Sequence, residues 1–399
     1  MKIYLFDTTE THENLLPLSF TRPVACFRCG IMTIKEKWER RIPGDYGYYP
    51  VEYLRGKFGT VENDQEEALF IAGNVMPDSE ICDLILHLNN GEGLTFEGNL
   101  IAYRSALAYP KDDLKKKEIS GKPDVLKYVF DIFLQNGSEI KKDFEVLTKG
   151  RKSEPLPDCV RLVNKTPKGE ERKDIFIEEG ATVECTTINT KSGPVYVGKG
   201  AVLMEGSCIR GPFAICEESE VRMGTKIYEG TTVGPHCKVG GEISNTVFFG
   251  YSNKAHDGYL GNAVIGEWCN IGAGTNASNL KNDYTLIRVW NYATQSFMHT
   301  DLQFCGLIMG DHSKIGVNCM INTATVIGVG VNIHGSGFPR TFLPCFSEGS
   351  AVTGFSHVSL KKFLDTAERV MSRRDLKMSS EEENILRHIY DGKAEIGGD

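Results

Sequence analysis

The sequence lacks three features that define large classes of proteins. No stretch approaches the ~18 consecutive apolar residues of a membrane span, and the first residues contain no apolar core of a signal peptide. Basic residues do not dominate, because 45 Lys and Arg stand against 53 Asp and Glu and leave a net charge of −8. A nucleic-acid-binding surface needs a basic face. We therefore predict a cytoplasmic protein that binds small molecules and has neither nucleic acid nor a membrane as its partner.

Paired cysteines are also scarce, although the chain contains 12 cysteines. They are scattered singly, and Cys26 and Cys29 form the only Cys-x-x-Cys motif. A tetrahedral zinc site would need a second cysteine pair or a suitably spaced histidine pair, and the sequence has neither. We expect reduced thiols and no metal centre, and we interpret this pair as buried or incidental in preference to a redox or metal site.

What the sequence does contain is a repeat of six residues in its second half. Aliphatic residues occupy every sixth position at Val197, Leu203, Ile209, Ile215, Val221, Ile227, Val233 and Val239. The residue four positions after each of these is in most cases small, and the rhythm returns at residues 265–271 and 309–333. A period of six fits neither a helix face nor an alternating strand. It predicts a parallel β-helix, in which three hexads close one triangular coil and coils stack about 4.8 Å apart.

The chain is long enough for more than one hydrophobic core, because it has 399 residues. Its first half alternates predicted strands, such as residues 2–6, with predicted helices, which indicates an α/β layer. We predict an α/β domain at residues 1–172, a β-helix at 173–355 and C-terminal helices at 356–399, with a polar junction near 150–174. The helices are expected to cap the open end of the coil stack, where strand edges would otherwise be exposed.

Two resemblances rest on these patterns. The hexads resemble the left-handed β-helix of the hexapeptide-repeat acyltransferases, and that resemblance implies the left hand. The stretch LLPLSFTRPVACFRCGIMTIKEKWE resembles the opening of a sugar nucleotidyltransferase-like family whose members carry such a β-helix behind it. The arrangement is also similar to the bifunctional family that joins N-acetylglucosamine-1-phosphate uridyltransferase to glucosamine-1-phosphate acetyltransferase. Together the two resemblances cover nearly the whole chain.

The regular hexads break after residue 243, and the segment that follows carries the most specific match. In glucosamine-1-phosphate acetyltransferases it contains a catalytic His, then Tyr-Leu-Gly, Asn-Ile-Gly-Ala-Gly-Thr and a final Asn. This sequence has His256, Tyr259, Asn270 and Asn279 at the same intervals. An amine attacks acetyl-CoA only when unprotonated, and a histidine, which ordinarily titrates near pH ~6.5, can take its proton. The resemblance implies that His256 is the general base, that Asn279 orients the amino group, and that Tyr259 and Asn270 line the sugar pocket.

The same resemblance implies contacts to both substrates. Arg222, placed one coil earlier, would grip the acceptor phosphate, which a guanidinium can bind through two hydrogen bonds. The family's second basic contact falls at Asn245, so glucosamine 1-phosphate, another amino sugar and a nucleotide-linked one all remain candidate acceptors. Ala273 and Gly335 would present their backbone to acetyl-CoA in a groove between two subunits, which implies a homotrimer.

The first half departs from true pyrophosphorylases in two places. It lacks the Gly-x-Gly-Thr-Arg loop that holds a nucleotide triphosphate, and it has Gly73-Asn74 where those enzymes have a magnesium-binding Asp. Arg22 is the candidate phosphate contact, and Asp7 is the candidate substitute carboxylate. Nucleotidyl transfer requires charge neutralisation at the reacting phosphate. We therefore predict weak or absent uridylyl transfer from UTP, with Mg²⁺ needed only if this domain is active.

The sequence thus predicts an acetyl-CoA-dependent N-acetyltransferase that acts on an amino sugar phosphate such as glucosamine 1-phosphate. Two alternatives stay open: a working sugar-1-phosphate nucleotidyltransferase (UDP-sugar pyrophosphorylase), with or without acyl transfer, and a non-catalytic β-helix scaffold whose first half senses a UDP-sugar. Residues 280–304 interrupt the repeat and predict a loop or hairpin that either shapes the acceptor pocket or contacts another subunit. Ser379 and Glu382 predict the capping box of a second C-terminal helix.

Overall fold

The structure is a computed structural model of the chain, which describes residues 1–59, 67–106, 114–165, 169 and 174–392. The predicted domain boundary at residues 172–173 lies outside these residues, and so does the end of the predicted C-terminal segment. No helix in the described ranges has the length and apolar character needed to cross a membrane.

The N-terminal part is a mixed sheet with helices packed against it. Its elements in chain order are β1 (Lys2–Phe6), α1 (Thr9–Asn14), α2 (Ile34–Arg41), β2 (Asp45–Tyr49), α3 (Arg55–Phe58), β3 (Ala68–Ala72), α4 (Ser79–Leu86), β4 (Glu92–Phe96), β5 (Asn99–Ser105), β6 (Lys115–Glu118) and α5 (Asp131–Thr148). The strand order is β2-β1-β3-β5-β4-β6, with β1 parallel to both of its neighbours and β5 antiparallel to both of its own. The predicted α/β layer is confirmed.

Local sequence explains where these helices begin. Thr33 and Glu36 form a capping box at the start of α2, each side chain accepting from the other's backbone N–H. Asp78 accepts from the N–H of Ile81 and caps α4 in the same manner. Thr8 caps the short helix α1 directly after β1, where its side chain accepts from the N–H of Thr11.

The second part is built from short strands. In chain order they are β7 (Arg161–Val163), β8 (Ile175–Ile177), β9 (Thr182–Val183), β10 (Thr187–Asn189), β11 (Val195–Val197), β12 (Val202–Leu203), β13 (Cys208–Arg210), β14 (Phe213–Ile215), β15 (Glu220–Val221), β16 (Lys226–Ile227), β17 (Thr231–Val233), β18 (Lys238–Val239), β19 (Glu242–Gly250), β20 (Asn253–Lys254), β21 (Tyr259–Glu267), β22 (Asn270–Ile271), β23 (Asn276–Ala277), β24 (Arg288–Asn291), β25 (Ser296–His299), β26 (Ile308–Met309), β27 (Lys314–Ile315), β28 (Met320–Ile321), β29 (Val326–Ile327), β30 (Asn332–Ile333), β31 (Phe342–Leu343), β32 (Ser347–Ser350) and β33 (Gly354–His357). Two helices follow, α6 (Leu360–Ser372) and α7 (Ser380–Gly392).

These strands stack into three parallel faces. Face A contains β7, β10, β13, β16, β23, β28 and the first halves of the long strands β19 and β21. Face B contains β8, β11, β14, β17, β26, β29, β31 and the second halves of β19 and β21. Face C contains β9, β12, β15, β18, β20, β22, β27, β30 and β32. The chain visits the faces in the order A, B, C, so the predicted parallel β-helix is confirmed.

The six-residue period is the spacing from one face to the next. Leu203 pairs with Val221, three hexads further along the chain, and Val221 pairs with Val239 after three more. The aliphatic residues of the hexads are buried inside the coils, which form one continuous apolar core from Ile177 to Leu343. One coil begins earlier than predicted, because β7 in the predicted polar junction pairs with β10.

The N-terminal part packs on face B of the β-helix. Helix α5 lies across β14, β17, β19 and β21, and Asn136 in this helix donates to the carbonyl of Gly230 at 2.7 Å. Phe27 packs on Phe249 with ring centroids 5.2 Å apart. Buried residues of the two parts join one apolar cluster, so face B is covered.

The insertion at residues 280–304 forms the antiparallel hairpin β24–β25. Of the two predicted shapes, a loop or a hairpin, the hairpin is confirmed. Trp290 in this hairpin stacks on Phe342 of β31 at 4.2 Å, and Tyr292 meets Phe20 of the N-terminal part edge to face at 5.4 Å. One side of the hairpin therefore contacts the chain's own first half.

The predicted C-terminal helices are confirmed, but they lie along the side of the coil stack and not over its open end. Strand β33 turns back antiparallel on β32 and covers the last strand of face C. Helix α6 then runs along the stack towards earlier coils, and Arg374 after it donates to the carbonyl of His236. The predicted capping box of Ser379 and Glu382 is present at α7, which packs on helical turns of the N-terminal part.

Candidate functional site

The corner between faces C and A, here called the C–A corner, carries the predicted general base. His256 lies there between β20 and β21, and its side chain is exposed. The backbone carbonyl of His256 accepts from the ammonium of Lys254 at 2.8 Å. In the next coil, Gly274 N–H donates to the carbonyl of Asp257 at 2.9 Å. The imidazole is thus presented to solvent from a turn whose backbone is held on both sides.

Two of the predicted substrate contacts come together on face A beside this corner. Asn279 donates from its amide to the Tyr259 hydroxyl at 2.9 Å and to the Asn262 side-chain oxygen at 2.7 Å. Both side chains lie over Gly261, where a Cβ atom would come 2.2 Å from the Tyr259 hydroxyl. Burial raises the pKa of Tyr259, and the hydrogen bond from Asn279 opposes that rise. Asn262 belongs to this cluster, although no sequence motif had singled it out.

Asn270 and Arg222 lie farther from that cluster. Asn270 is exposed on face C, on the strand that pairs with β20. Arg222 lies two coils before His256, because β15 pairs with β18 and β18 pairs with β20. The prediction that Arg222 lies one coil earlier is therefore wrong, because the residues between Arg222 and His256 complete two coils. Its guanidinium is paired with Glu220 at 2.8 Å, and its side chain is 43% exposed.

The two residues predicted to contact the acyl donor share the C–A corner with His256. Ala273 lies in the next coil, where its carbonyl accepts from Asn318 N–H at 2.8 Å, and Gly335 lies two coils beyond Ala273. Gly335 has φ of +79°, a conformation that side chains rarely adopt. Val317 between them is 65% exposed. These residues form an exposed edge that runs from His256 along the stack.

Lys254 is the charged residue of this region that the sequence did not bring to attention. It pairs in register with Val239 and lies at an inward position of face C, where it is 1% exposed. Burial lowers the pKa of Lys254 to about 8, and the carboxylate of Asp257 opposes that shift. The hexad register would have revealed it, since it falls where the neighbouring coils have aliphatic residues.

In the N-terminal part, Asp7 is enclosed at the end of β1. One carboxyl oxygen accepts from Val24 N–H at 3.0 Å, and the other faces Gly73, where an added Cβ would come within 2.7 Å. Burial raises the pKa of Asp7 to about 7, and the Val24 hydrogen bond opposes that rise. Within the described residues, Asp7 belongs to no group of three or more side chains that could hold a metal ion, so its role as a substitute magnesium ligand stays a prediction.

Arg22 is also held by other groups of the chain. Its guanidinium pairs with Asp311 and lies 2.8 Å from a Glu267 carboxyl oxygen, and both acids belong to the β-helix. Burial opposes the charge, but these two carboxylates raise the pKa of Arg22 above its ordinary value. Arg22 lines a cavity of about 200 Å³ between the two parts of the chain. Arg22 therefore joins the two parts of the chain. The predicted phosphate contact at Arg22 would have to compete with both carboxylates.

Asn74 lies at the edge of a second cavity, of about 270 Å³, at the ends of the sheet strands. Its amide donates to the carbonyl of Leu126 at 2.9 Å. The cavity is also lined by Thr8 and Glu10 at the start of α1 and by Lys127. These polar residues are the ones that a ligand at this edge of the sheet would meet, and the motif comparison had not identified them.

Comparison with known proteins identifies two classes. Residues 3–152 match a family model described as sugar nucleotidyl transferase. The chain is also similar to proteins described as bifunctional protein GlmU. It is 28% identical to the GlmU of Wigglesworthia glossinidia brevipalpis over 50% of this chain and 35% of the relative. The GlmU of Rippkaea orientalis is 34% identical over 22% of this chain and 23% of its own. The matches thus span about a fifth to a third of the length of these relatives.

Solved structures with a similar outline are more distant. A hexapeptide transferase family protein of Anaplasma phagocytophilum is 11% identical, with a TM-score of 0.26, over 55% of this chain and 91% of that one. The UDP-N-acetylglucosamine acyltransferase of Arabidopsis is 15% identical, with a TM-score of 0.21, over 60% of this chain and 91% of that one. The chain is thus similar to bifunctional GlmU proteins, its residues 3–152 match the sugar nucleotidyl transferase model, and a parallel β-helix follows them in the structure.

Proposed function

We propose that the protein transfers an acetyl group from acetyl-CoA to the amine of an amino sugar, with His256 as the general base. The observation that supports this most strongly is the cluster of Tyr259, Asn262 and Asn279 directly beside an exposed histidine. The cluster offers a hydroxyl and two amides, which are groups suited to binding sugar hydroxyls and an amino group. Face B is covered by the first half of the chain, whereas the C–A corner is open.

The proposed chemistry needs few groups. The amine nitrogen of the amino sugar attacks the thioester carbonyl carbon while His256 accepts a proton from that nitrogen. A C–N bond forms and a tetrahedral oxyanion develops. The oxyanion collapses with cleavage of the C–S bond, and the proton leaves with the thiol of coenzyme A. The carbonyl of Asn279 accepts from Cys305 N–H at 3.0 Å, so the base of the hairpin fixes the residue proposed to orient the amine.

The acetyl-CoA molecule is proposed to lie along the exposed edge from His256 past Ala273 to Gly335. Val317 on that edge offers an apolar surface to the donor. A second subunit would complete the groove, so we propose a homotrimer in the cytoplasm. Light scattering should give a mass three times that of the chain, whereas a monomer with full acetyltransferase activity would contradict this.

The acceptor is proposed to carry an anionic group, such as a phosphate. Arg222 can bind it with the N–H donors that its contact with Glu220 leaves available, and Glu220 also pairs with Lys238 at 2.7 Å. Because Arg222 lies two coils from His256, a phosphate on it would be about 10 Å along the stack, at ~4.8 Å per coil. A sugar ring between amine and phosphate spans part of that distance, so larger acceptors belong in any screen.

The test is an assay with acetyl-CoA against a panel of amino sugars, their 1-phosphates and nucleotide-linked forms. We expect coenzyme A release and an acetylated product by mass spectrometry with at least one acceptor. His256→Ala should lower the rate ~10²-fold or more, the scale of a general base. His87→Ala, which changes an exposed histidine of the N-terminal part, serves as the matched control. Equal rates for all three proteins would refute the mechanism.

A second candidate function is favoured by the match of residues 3–152 to the sugar nucleotidyl transferase model. We propose that the cavity beside Asn74 binds a sugar nucleotide and that transfer from UTP is weak or absent. Calorimetry with UDP-sugars should show binding that Lys127→Ala weakens. Robust pyrophosphate release from UTP and a sugar phosphate, abolished in Asp7→Ala, would instead establish an active nucleotidyltransferase.

A further inference from the structure

One column of side chains inside the β-helix changes its chemistry at the coil of His256. On the inner side of the C–A corner, successive coils carry small polar residues whose side chains donate to corner carbonyls. They are Ser207 to Met204 at 2.5 Å, Thr225 to Arg222 at 2.5 Å, Thr275 to Gly316 at 2.7 Å and Cys319 to Gly335 at 3.5 Å. These bonds satisfy acceptors that would otherwise be buried without partners.

Two glycines interrupt that column between Thr225 and Thr275. Gly241 and Gly258 occupy the equivalent positions, two residues before inward residues of face A. A Cβ on Gly258 would lie 2.1 Å from the carbonyl oxygen of Thr275, and a Cβ on Gly241 would lie 2.6 Å from that of Gly258. Side chains are therefore excluded at both positions, and the corner carbonyls there lose their hydroxyl donors.

Lys254 supplies the missing donors from the neighbouring face. Its Nζ donates to the carbonyl of Gly240 at 3.1 Å and to that of His256 at 2.8 Å. One side chain thus joins two successive coils at the turn that carries the proposed base. The position is occupied by Val239 in the preceding coil and by Ile271 in the next, so a side chain without charge fits the fold.

A lysine at an inward position of face C is unfavourable for the packing of the coils. An ammonium taken out of water is costly, and an apolar side chain of similar volume is often neutral or stabilising in such a place. In the flanking coils neutral hydroxyl or thiol groups donate to the corner carbonyls, so a corner of this β-helix does not in general need a charged donor. The charge is therefore not explained by the needs of the β-helix alone.

We propose that Lys254 is a positioning residue, whose ammonium ties the carbonyl of His256 to the preceding coil and so holds the imidazole for proton transfer. This inference rests on the proposed function of His256. Hydrogen bonds from an ammonium are about twice as strong as neutral ones, so the charged form holds the turn more firmly than the amine.

The charged groups around this turn are few. Asp257 is the carboxylate whose charge acts on Lys254. On the outside of the neighbouring coils lie Glu242 and the cluster of Glu220, Arg222 and Lys238. The pKa of Lys254, about 8, leaves it mainly protonated at neutral pH, and the tether weakens as the pH rises through that value.

The first experiment measures hydrogen exchange in the full chain and needs no activity. The amides of Glu242, Tyr259 and Gly274 are each hydrogen-bonded to this corner or to the coil beside it. In Lys254→Met we expect these amides to exchange about tenfold faster. Lys254→Gln introduces a side chain as long as methionine that keeps a donor, so this variant should show a smaller change in exchange.

Lys314→Met is the control, because Lys314 is a half-buried lysine that likewise donates to two backbone carbonyls, those of Trp268 and His312, both at 2.8 Å. These carbonyls belong to a different corner. Exchange at the three reporter amides should therefore stay as in the wild-type protein. Equal acceleration in both variants would overturn the proposal, because a general loosening of the coils would then explain it.

The second experiment measures acetyl transfer. We expect Lys254→Met to lower kcat about tenfold with an unchanged KM for acetyl-CoA, because the donor edge is not altered. The ratio of wild-type to variant kcat should shrink between pH 7 and 9.5, as the wild-type ammonium is lost. Unchanged exchange at the reporter amides overturns the tether, and faster exchange with unchanged kcat overturns its role in positioning. If His256→Ala retains full activity the proposed function fails, while the exchange data still decide whether the tether exists.

Discussion

Two corners of the same β-helix have opposite characters. The corner between faces B and C, here called the B–C corner, carries a ladder of stacked rings, with His236, Tyr251 and Trp268 at 4.8 and 4.3 Å and His312 beyond them at 6.2 Å. The C–A corner has glycines and an exposed histidine at the corresponding depth of the stack. The difference lies in what each corner contacts.

The B–C corner meets other parts of the chain. Arg22 reaches it from the N-terminal part, and Phe363 of α6 contacts His312 edge to face at 5.9 Å. Burial lowers the pKa of His312 to about 3, so this imidazole stays neutral over the physiological range. A repeated fold thus assigns one corner to assembly and leaves another open, and chemistry is expected only at the open one.

The largest effect should come from breaking the B–C corner at Arg22. In Arg22→Met the carboxylates of Asp311 and Glu267 lose their cation, and Asp311 is only 3% exposed. Removing one partner of a buried ion pair costs about 3–5 kcal/mol. Urea unfolding should show this loss, while acetyl transfer per folded molecule stays at the wild-type level. A loss of kcat without a loss of stability would mean that the two corners are not independent.

The next effect sharpens the comparison through pH. The pKa of Lys254 is about 8 in the folded protein against an ordinary 10.5, so between these values the unfolded chain binds more protons. Stability therefore rises with pH in that window. Relative to Lys254→Met, the wild-type protein should gain about 2–3 kcal/mol between pH 8 and 10.5. Lys361→Met changes an exposed lysine, and its unfolding curve should keep a constant offset from wild type.

A somewhat smaller effect is expected from the aromatic ladder. Trp268 is 7% exposed between Tyr251 and His312. Trp268→Leu removes ring contacts and leaves a partial cavity, at a cost of about 2 kcal/mol. Thermal unfolding of the variant measures this, and a Tm equal to that of wild type would show that the ladder does not stabilise the corner.

The smallest effect on stability belongs to the C–A side. Arg222 is 43% exposed and pairs with Glu220 at the surface, so Arg222→Ala should cost less than about 1 kcal/mol. The same variant should raise KM for a phosphorylated acceptor without changing KM for acetyl-CoA. If both constants are unchanged, the anionic group of the acceptor binds elsewhere.

Sequence reasoning succeeded where a repeat determines the environment. The hexads predicted which aliphatic residues point inward, because each coil places the same position in the same surroundings. The insertion and the capping box at Ser379 were also predictable, since both are local signals. The motif intervals singled out Tyr259 and Asn279, which form a hydrogen bond in the structure, and the roles assigned to them stay predictions.

The failures have two physical causes. The coil length changes between Val239 and Ile271, so the period of six did not mark the inward position of Lys254. Arg222 was placed one coil too close to His256 because its position was taken from the family resemblance. Arg22 was judged by its neighbours in sequence, whereas its partner Asp311 lies 289 residues away. Contacts of that range are set by how the two parts of the chain pack, which no local motif records.

The docking of α7 on the beginning of the chain has a consequence for synthesis on the ribosome. Glu382 pairs with Lys57 across 325 residues, and His388 stacks on Tyr53 at 4.3 Å. At a synthesis rate of ~5–20 residues per second, α7 is made roughly 20–60 s after the helical turns near Tyr53. During that interval the nascent first half exposes the apolar surface that Ile385, Leu386 and Ile389 later bury. The nascent chain therefore completes its first domain only when helix α7 has been made.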